Sequence, residues 1–260
     1  MGSDETPTPP DLGDLRDKID AVDDRLLELL AQRSRLVNQV AQAKRDSGEA
    51  HILRPSREAQ QMRKFIDWHS CNAADMPLAG FQAVWREIIS SSVSQQKPLT
   101  VYCTGAVHDA AKAQFGQAAH YAKTATAAEL FAQVTDTPHA IGVADTKTDG
   151  FVTQLYAAAQ AESHLPLCIF LSLPLFEAAA RIVCLGRIPV EASGRDRTLV
   201  VGPVAAISGH GEVLTDENGI GLAMMDGFVT QEALDPSLQK DGVFVCGAYP
   251  LFDERNEDPA

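Results

Sequence analysis

Arg16, Arg33 and Lys44 lie in one stretch free of proline and glycine, Arg57 and Glu58 stand side by side behind a proline, and Ser92 and Gln96 are four apart. Taken singly, each is an ordinary surface residue. Together they gather cations with further polar groups, as a site for a small anion on an acidic chain would have to, and Ser and Gln four apart share one helix face. At about 100° per residue, Lys44 falls within roughly 20° of Arg33 and Arg16 points about 100° away. Arg33 and Lys44 are about 16 Å apart along the axis, within reach of a common ligand through long side chains, but Arg16 and Arg33 are separated by roughly 25 Å. If all three serve one site, Arg16 must come from another subunit.

Those cations stand out because the chain is acidic, with a net charge of −13 over 260 residues. A polyanion binder normally carries a basic patch, so neither nucleic acid nor an anionic membrane is expected as a partner. The N-terminal segment MGSDETPTPPDLGD is acidic and Pro-rich and does not read as a leader. No run approaches the length of a membrane span, and a cytoplasmic protein is expected. Cys71, Cys103, Cys168, Cys184 and Cys246 have no CxxC spacing and read as reduced thiols. His108, His120, His139, His164 and His210 show no metal spacing, and Gly105, Gly202 and Gly209-His210-Gly211 make no dinucleotide fingerprint. No metal or cofactor is therefore expected.

The elements carrying these residues are legible from periodicity. Leu15, Ile19, Val22, Leu26, Leu30, Val37, Val40 and Ala41 recur at steps of three and four between Asp14 and Ser47, with Gly48 as a stop. This predicts one helix of roughly 50 Å, whose apolar stripe a small domain could not cover alone. Pro55 opens a second helix over Ser56–Trp68. A third follows through Leu78, Phe81, Val84, Trp85, Ile88, Ile89 and Val93 to Lys97-Pro98. Beyond it, runs at 99–103, 140–144, 167–171, 180–186, 197–202, 220–229 and 242–247 read as strands. Helices are expected near Val107–Phe115 and Thr126–Gln133, and Asn218-Gly219 as a turn. That is an α/β pattern.

The order LRDKIDAVDDRLLELLAQRSRLVNQVAQAKR, ILRPSREAQQM, FQAVWREIISSSVSQQ closely resembles the all-helical, type II chorismate mutases. The resemblance implies an all-α three-helix chorismate mutase domain in an intertwined dimer, followed by an α/β domain. The expected boundaries are 1–13 disordered, 14–97 helical mutase, 98–252 α/β and 253–260 disordered. It further implies that Arg33 and Arg16 of the partner chain clamp the two carboxylates of chorismate, and that Lys44 and Gln96 face the ether oxygen. Arg57 would shape the pocket, Glu58 would accept from the ring hydroxyl, and Ser92 would contact a carboxylate. Arg54 stands where that family often has Asp, harmless if the position acts through its backbone N–H.

Residues 99 to about 250 resemble a prephenate dehydratase with a shortened ACT-like end. Asp145-Thr146-Lys147 replaces that family's Glu-Asn-Ser, and Ala180-Arg181-Ile182 its Thr-Arg-aromatic triplet. The hydroxyl that would assist the leaving group is absent, and the chain between Phe151 and Arg181 is too short for a second lobe. An inactive α/β extension is therefore expected. An aromatic amino acid effector would suit an ACT-like module, although MDGF at 225–228 lacks the usual Glu-Ser-Arg-Pro. The competing readings are an isochorismate-pyruvate lyase, a bifunctional mutase-dehydratase, and a non-enzymatic ligand-sensing regulator.

Overall fold

The computed structural model describes residues 11–48, 53–161, 166–175 and 180–252. The expectations for residues 1–10 and 253–260 lie outside these. Helix α1 is continuous over Leu12–Asp46, as the periodicity requires, and stops at Gly48 with a left-handed φ of 72°. The residues fall into two compact units, 1–50 and 51–260. In the first, α1 leaves Leu15, Ile19, Val22, Leu26 and Leu30 exposed along its length.

The second unit opens with α2 (Pro55–Asn72), which has proline in its first turn, and α3 (Leu78–Gln96). There follow β1 (Thr100–Thr104), α4 (His108–Phe115), β2 (His120–Thr124), α5 (Ala127–Asp136), β3 (Ile141–Asp145), α6 (Phe151–Gln160), β4 (Cys168–Leu173) and β5 (Ile182–Gly186). The chain closes with β6 (Asp196–Pro203), α7 (Val204–Ile207), β7 (Glu212–Glu217), β8 (Ile220–Asp226), α8 (Pro236–Lys240) and β9 (Phe244–Pro250). Thr126 caps α5 by accepting from Glu129 N at 3.1 Å, while the Glu129 carboxylate accepts from Ala125 N at 2.8 Å. This resembles a capping box, with the glutamate accepting from the residue before the cap instead of from the cap itself. Asn218 and Gly219, with φ of 53° and 82°, turn β7 into β8 as the Asn-Gly pair predicts.

The nine strands among the described residues form one mixed sheet in the order β2-β1-β3-β5-β4-β9-β6-β8-β7. Side chains alternate across it. Val101, Cys103, Ile141, Val143 and Cys184 point to the face covered by α2, α3 and α4. Ala144, Val183, Leu185, Leu199 and Leu222 point to the face covered by α5 and α6. Gly247 lets β9 approach β4 at its single paired position, because an added Cβ would collide with the Ile169 carbonyl.

Five of these elements are not expected from the sequence: α6, α7, α8, β2 and β7. The stretch after β3, where the sequence reading places no helix, contains α6. Its N-terminus is held by Glu217, which accepts from Gly150 N at 2.5 Å, Thr153 N at 3.1 Å and Thr153 Oγ1 at 2.7 Å. That acceptor sits 67 residues away, so no local capping signal announces the helix. Strands β2 and β7 are the two edges of the sheet, and Thr124 is their one buried residue. Edge strands carry the charges and polar groups that blunt aggregation, and so lose their alternation.

Candidate active site

Within the first unit, α1 carries three of the expected groups. Arg16 is exposed, while Arg33 and Lys44 are half-buried, and burial lowers the Arg33 guanidinium from its ordinary value. It remains charged at neutral pH, since arginine starts far above that range. Both arginines lie on this one continuous helix, whose rise of about 1.5 Å per residue separates Arg16 from Arg33 by roughly 25 Å.

The second unit positions the others. Arg54 is the residue before α2, and its carbonyl accepts from Glu58 N at 3.0 Å, starting the helical ladder. The Arg54 and Arg57 side chains are exposed, whereas Glu58 turns inward. Its Oε2 lies 3.6 Å from Arg86 Nη1 on α3. The Glu58 side chain keeps 23% of its exposure and that of Arg86 keeps 10%. Burial pushes the Glu58 carboxyl above its ordinary range, against the pull of Arg86. Burial likewise lowers Arg86, against the pull of Glu58. Desolvation thus outweighs attraction in both partners. Arg86 Nε has no hydrogen-bond partner among the described residues. A small cavity lined by Glu58, Arg86, Gln114, Phe115 and Leu53 adjoins the pair.

Ser92 is buried and donates to Ile88 O at 2.7 Å. Gln96 donates from Nε2 to Ser92 O at 3.2 Å, and its Oε1 is buried with no hydrogen-bond partner among the described residues. The two expected site residues of α3 are therefore adjacent, one turn apart, with polar capacity left on the glutamine.

Arg86 is the residue sequence reasoning overlooked. Its spacing was the available signal, because Arg86, Ile89 and Val93 share the buried stripe of α3. An arginine on an apolar stripe needs an anionic partner on a neighbouring element, and α2 supplies it.

In the α/β part, the segments implied by the dehydratase resemblance do meet. Strands β3 and β5 run antiparallel with Asp145 opposite Ile182. Arg181 Nε lies 3.2 Å from Asp145 Oδ2, and Thr146 N donates to Arg181 O at 2.8 Å. The Thr146 hydroxyl, buried, donates to Ala180 O at 3.3 Å. The cation and the hydroxyl of this junction thus face their own neighbours. No group of His, Cys, Asp and Glu among the described residues could hold a metal ion, and no helix among them is long and apolar enough to cross a membrane.

Residues 15–97 match the family model described as chorismate mutase type II. A bifunctional chorismate mutase/prephenate dehydratase of Aquifex aeolicus is 30% identical over 129 residues, covering 48% of this chain and 35% of the relative. The enzyme of the same description from Pseudomonas aeruginosa is 32% identical over 128 residues, covering 46% and 34%. The matches thus span about a third of the length of these curated relatives. A solved structure titled "GqqA- a novel type of quorum quenching acylases" has a TM-score of 0.39 at 14% identity, covering 59% of this chain and 95% of that one. A likeness of that size carries no argument. The helical segment 15–97 is thus similar to the type II chorismate mutases, and an α/β region follows it.

Proposed function

We propose that the chain converts chorismate to prephenate, the observation that carries this being the family match over residues 15–97. Arg16, Arg33, Lys44, Arg57, Glu58, Ser92 and Gln96 all stand at the positions the resemblance assigns. The [3,3] rearrangement moves no proton and forms no bond to the enzyme. Catalysis then consists of holding the enolpyruvyl side chain over the ring and stabilising negative charge on the ether oxygen as its C–O bond lengthens. Lys44 and Gln96 are the groups for that oxygen, and Arg33 holds a carboxylate.

The second carboxylate requires Arg16 from another copy, since one helix cannot bring Arg16 and Arg33 to one small ligand. The exposed row Leu15, Ile19, Val22, Leu26 and Leu30 supports a homodimer built along α1. The decisive measurement follows chorismate loss and identifies the product, prephenate for this reading and pyruvate for a lyase acting on isochorismate. Lys44→Ala and Arg33→Ala should each lose useful turnover, about 3 kcal/mol or more in activation free energy, with helicity unchanged. Near wild-type kcat in either variant refutes the assignment.

The relatives' names favour a second activity, prephenate dehydration. Ala180 and the internally bonded Thr146 argue against it in this chain. No phenylpyruvate should form from prephenate above the slow acid-catalysed background, and its formation would show the α/β part to be an enzyme.

A further inference from the structure

On its inner side Glu58 meets two small cavities, of about 20 Å3 and about 10 Å3, that lie among α2, α3, α4 and the sheet. Of the described residues lining them, Arg86 on α3 is the only charged side chain besides Glu58 itself. Helix α4 contributes the uncharged Gln114 together with Phe115, and β4 contributes Phe170 and Leu171. On the side of α2 itself, Arg54 and Arg57 are exposed. Space of this size holds about one water, so little solvent can screen the carboxylate from the guanidinium there. Arg86 and Glu58 therefore feel each other strongly at 3.6 Å.

Packing alone does not account for this arginine. It shares the buried stripe of α3 with Ile89 and Val93, and its Nε is buried without a hydrogen-bond partner among the described residues. Well-packed apolar side chains usually serve stability at such a place as well as a buried ion pair does. The contact joins Arg86 Nη1 to Glu58 Oε2 alone, and the Glu58 side chain is the more exposed of the two. We propose that Arg86 is a positioning residue of the mutase site, fixing one carboxylate oxygen of Glu58 so that the other is presented to the ring hydroxyl of chorismate. This rests on the mutase reading, in which Glu58 accepts from that hydroxyl. An ionised carboxylate accepts a stronger hydrogen bond than a neutral carboxyl. Burial opposes ionisation of Glu58 and Arg86 favours it, so removal of Arg86 leaves burial unopposed. Glu58 then keeps its proton to higher pH, and its hold on the hydroxyl weakens.

The test is the profile of kcat/KM for chorismate with the full chain from about pH 5 to about pH 9, which reports groups of the free enzyme. Arg86→Met should move the acid limb to higher pH. At about pH 6 its kcat/KM should fall about tenfold, mainly through KM because the ring hydroxyl lies outside the bonds that rearrange, and at about pH 9 it should recover toward the wild-type value. Arg86→Lys keeps the charge and should restore most of the loss. Glu58→Gln should remove the limb, and adding Arg86→Met to it should cost no more than about twofold further. An arginine that serves the fold alone would lower kcat/KM equally at every pH and in both backgrounds. That result overturns the proposal, and so does an unshifted limb. Melting curves without substrate show that each variant is folded; if Arg86→Met does not melt cooperatively, Arg86→Gln takes its place with the same expectations. A wild type that turns over no chorismate fails the mutase reading and this one with it, whereas wild-type turnover with an unshifted limb in the variants fails this one alone.

Discussion

Arg86 sits where an aliphatic side chain would serve packing better, on the stripe that α3 presents to α2 and α4. A buried guanidinium is tolerated there only because Glu58 faces it, and the 3.6 Å separation makes this a loose pair rather than a bidentate fork. Arg86→Met should therefore leave a partly buried carboxylate unpaired. A fully buried pair broken in this way costs about 3–5 kcal/mol; Glu58 keeps some solvent contact, so about 2 kcal/mol is expected. Chemical denaturation at neutral pH measures it, and a loss within about 0.5 kcal/mol of zero would mean the pair is not formed. The pH dependence follows from the direction of the Glu58 shift. Its folded value lies above the ordinary 4.5, so the folded state holds the proton more tightly than the unfolded chain. The resulting stability is fully present below the unfolded value and is lost as pH rises through the folded one. Glu58→Gln should flatten that decline in a melting-temperature profile, and an unchanged slope would remove Glu58 as its source.

The elements divide by how their signals travel along the chain. Helix α1 was legible end to end because its stripe, its lack of Pro and Gly, and its Gly48 stop are all local. Helices α2 and α3 were legible through Pro55 and Lys97-Pro98, and the buried strands through continuous apolar runs. What stayed hidden depends on contacts between distant residues. Helix α6 owes its start to Glu217, and the Glu58–Arg86 pair joins separate helices. The inward turn of Glu58 could not be read from its place beside Arg57. Glu217→Ala should free the α6 N-terminus and loosen the β7–β8 hairpin, costing about 1 kcal/mol as a lost helix cap does. The Glu217 carboxyl is held below its ordinary range by the hydrogen bonds it accepts, chiefly from Thr153. Its contribution is present above the unfolded value and fades as pH falls through the folded one. Hydrogen exchange at Phe151–Leu155 should accelerate in the variant, and unchanged protection there would mean that α6 does not depend on the cap.

At the scale of the molecule, the family boundary near residue 97 and the packing boundary do not coincide. The family match ends at 97, yet α2 and α3 share a core with the sheet through Met62, Ile66, Ile89 and Val93 packed with Leu99, Val101 and Phe115. Polar ties reinforce it. Arg63 on α2 donates to Ser193 O at 2.8 Å, Leu251 O at 2.9 Å and Arg195 O at 3.0 Å. Glu87 on α3 accepts from Gln117 N, and Ser90 donates to Phe115 O. Each buried apolar side chain contributes about 1.5–3 kcal/mol, so re-exposing those four would cost an amount comparable to a whole domain's stability of about 5–15 kcal/mol. The sheet region is thus part of the scaffold that sets α2 against α3. A truncation after Gln96 should lose cooperative melting and most of the chorismate turnover of the full chain. If the truncated protein instead melts cooperatively and keeps full kcat/KM, the helices fold without the sheet, and the shared core contributes nothing that the mutase segment needs.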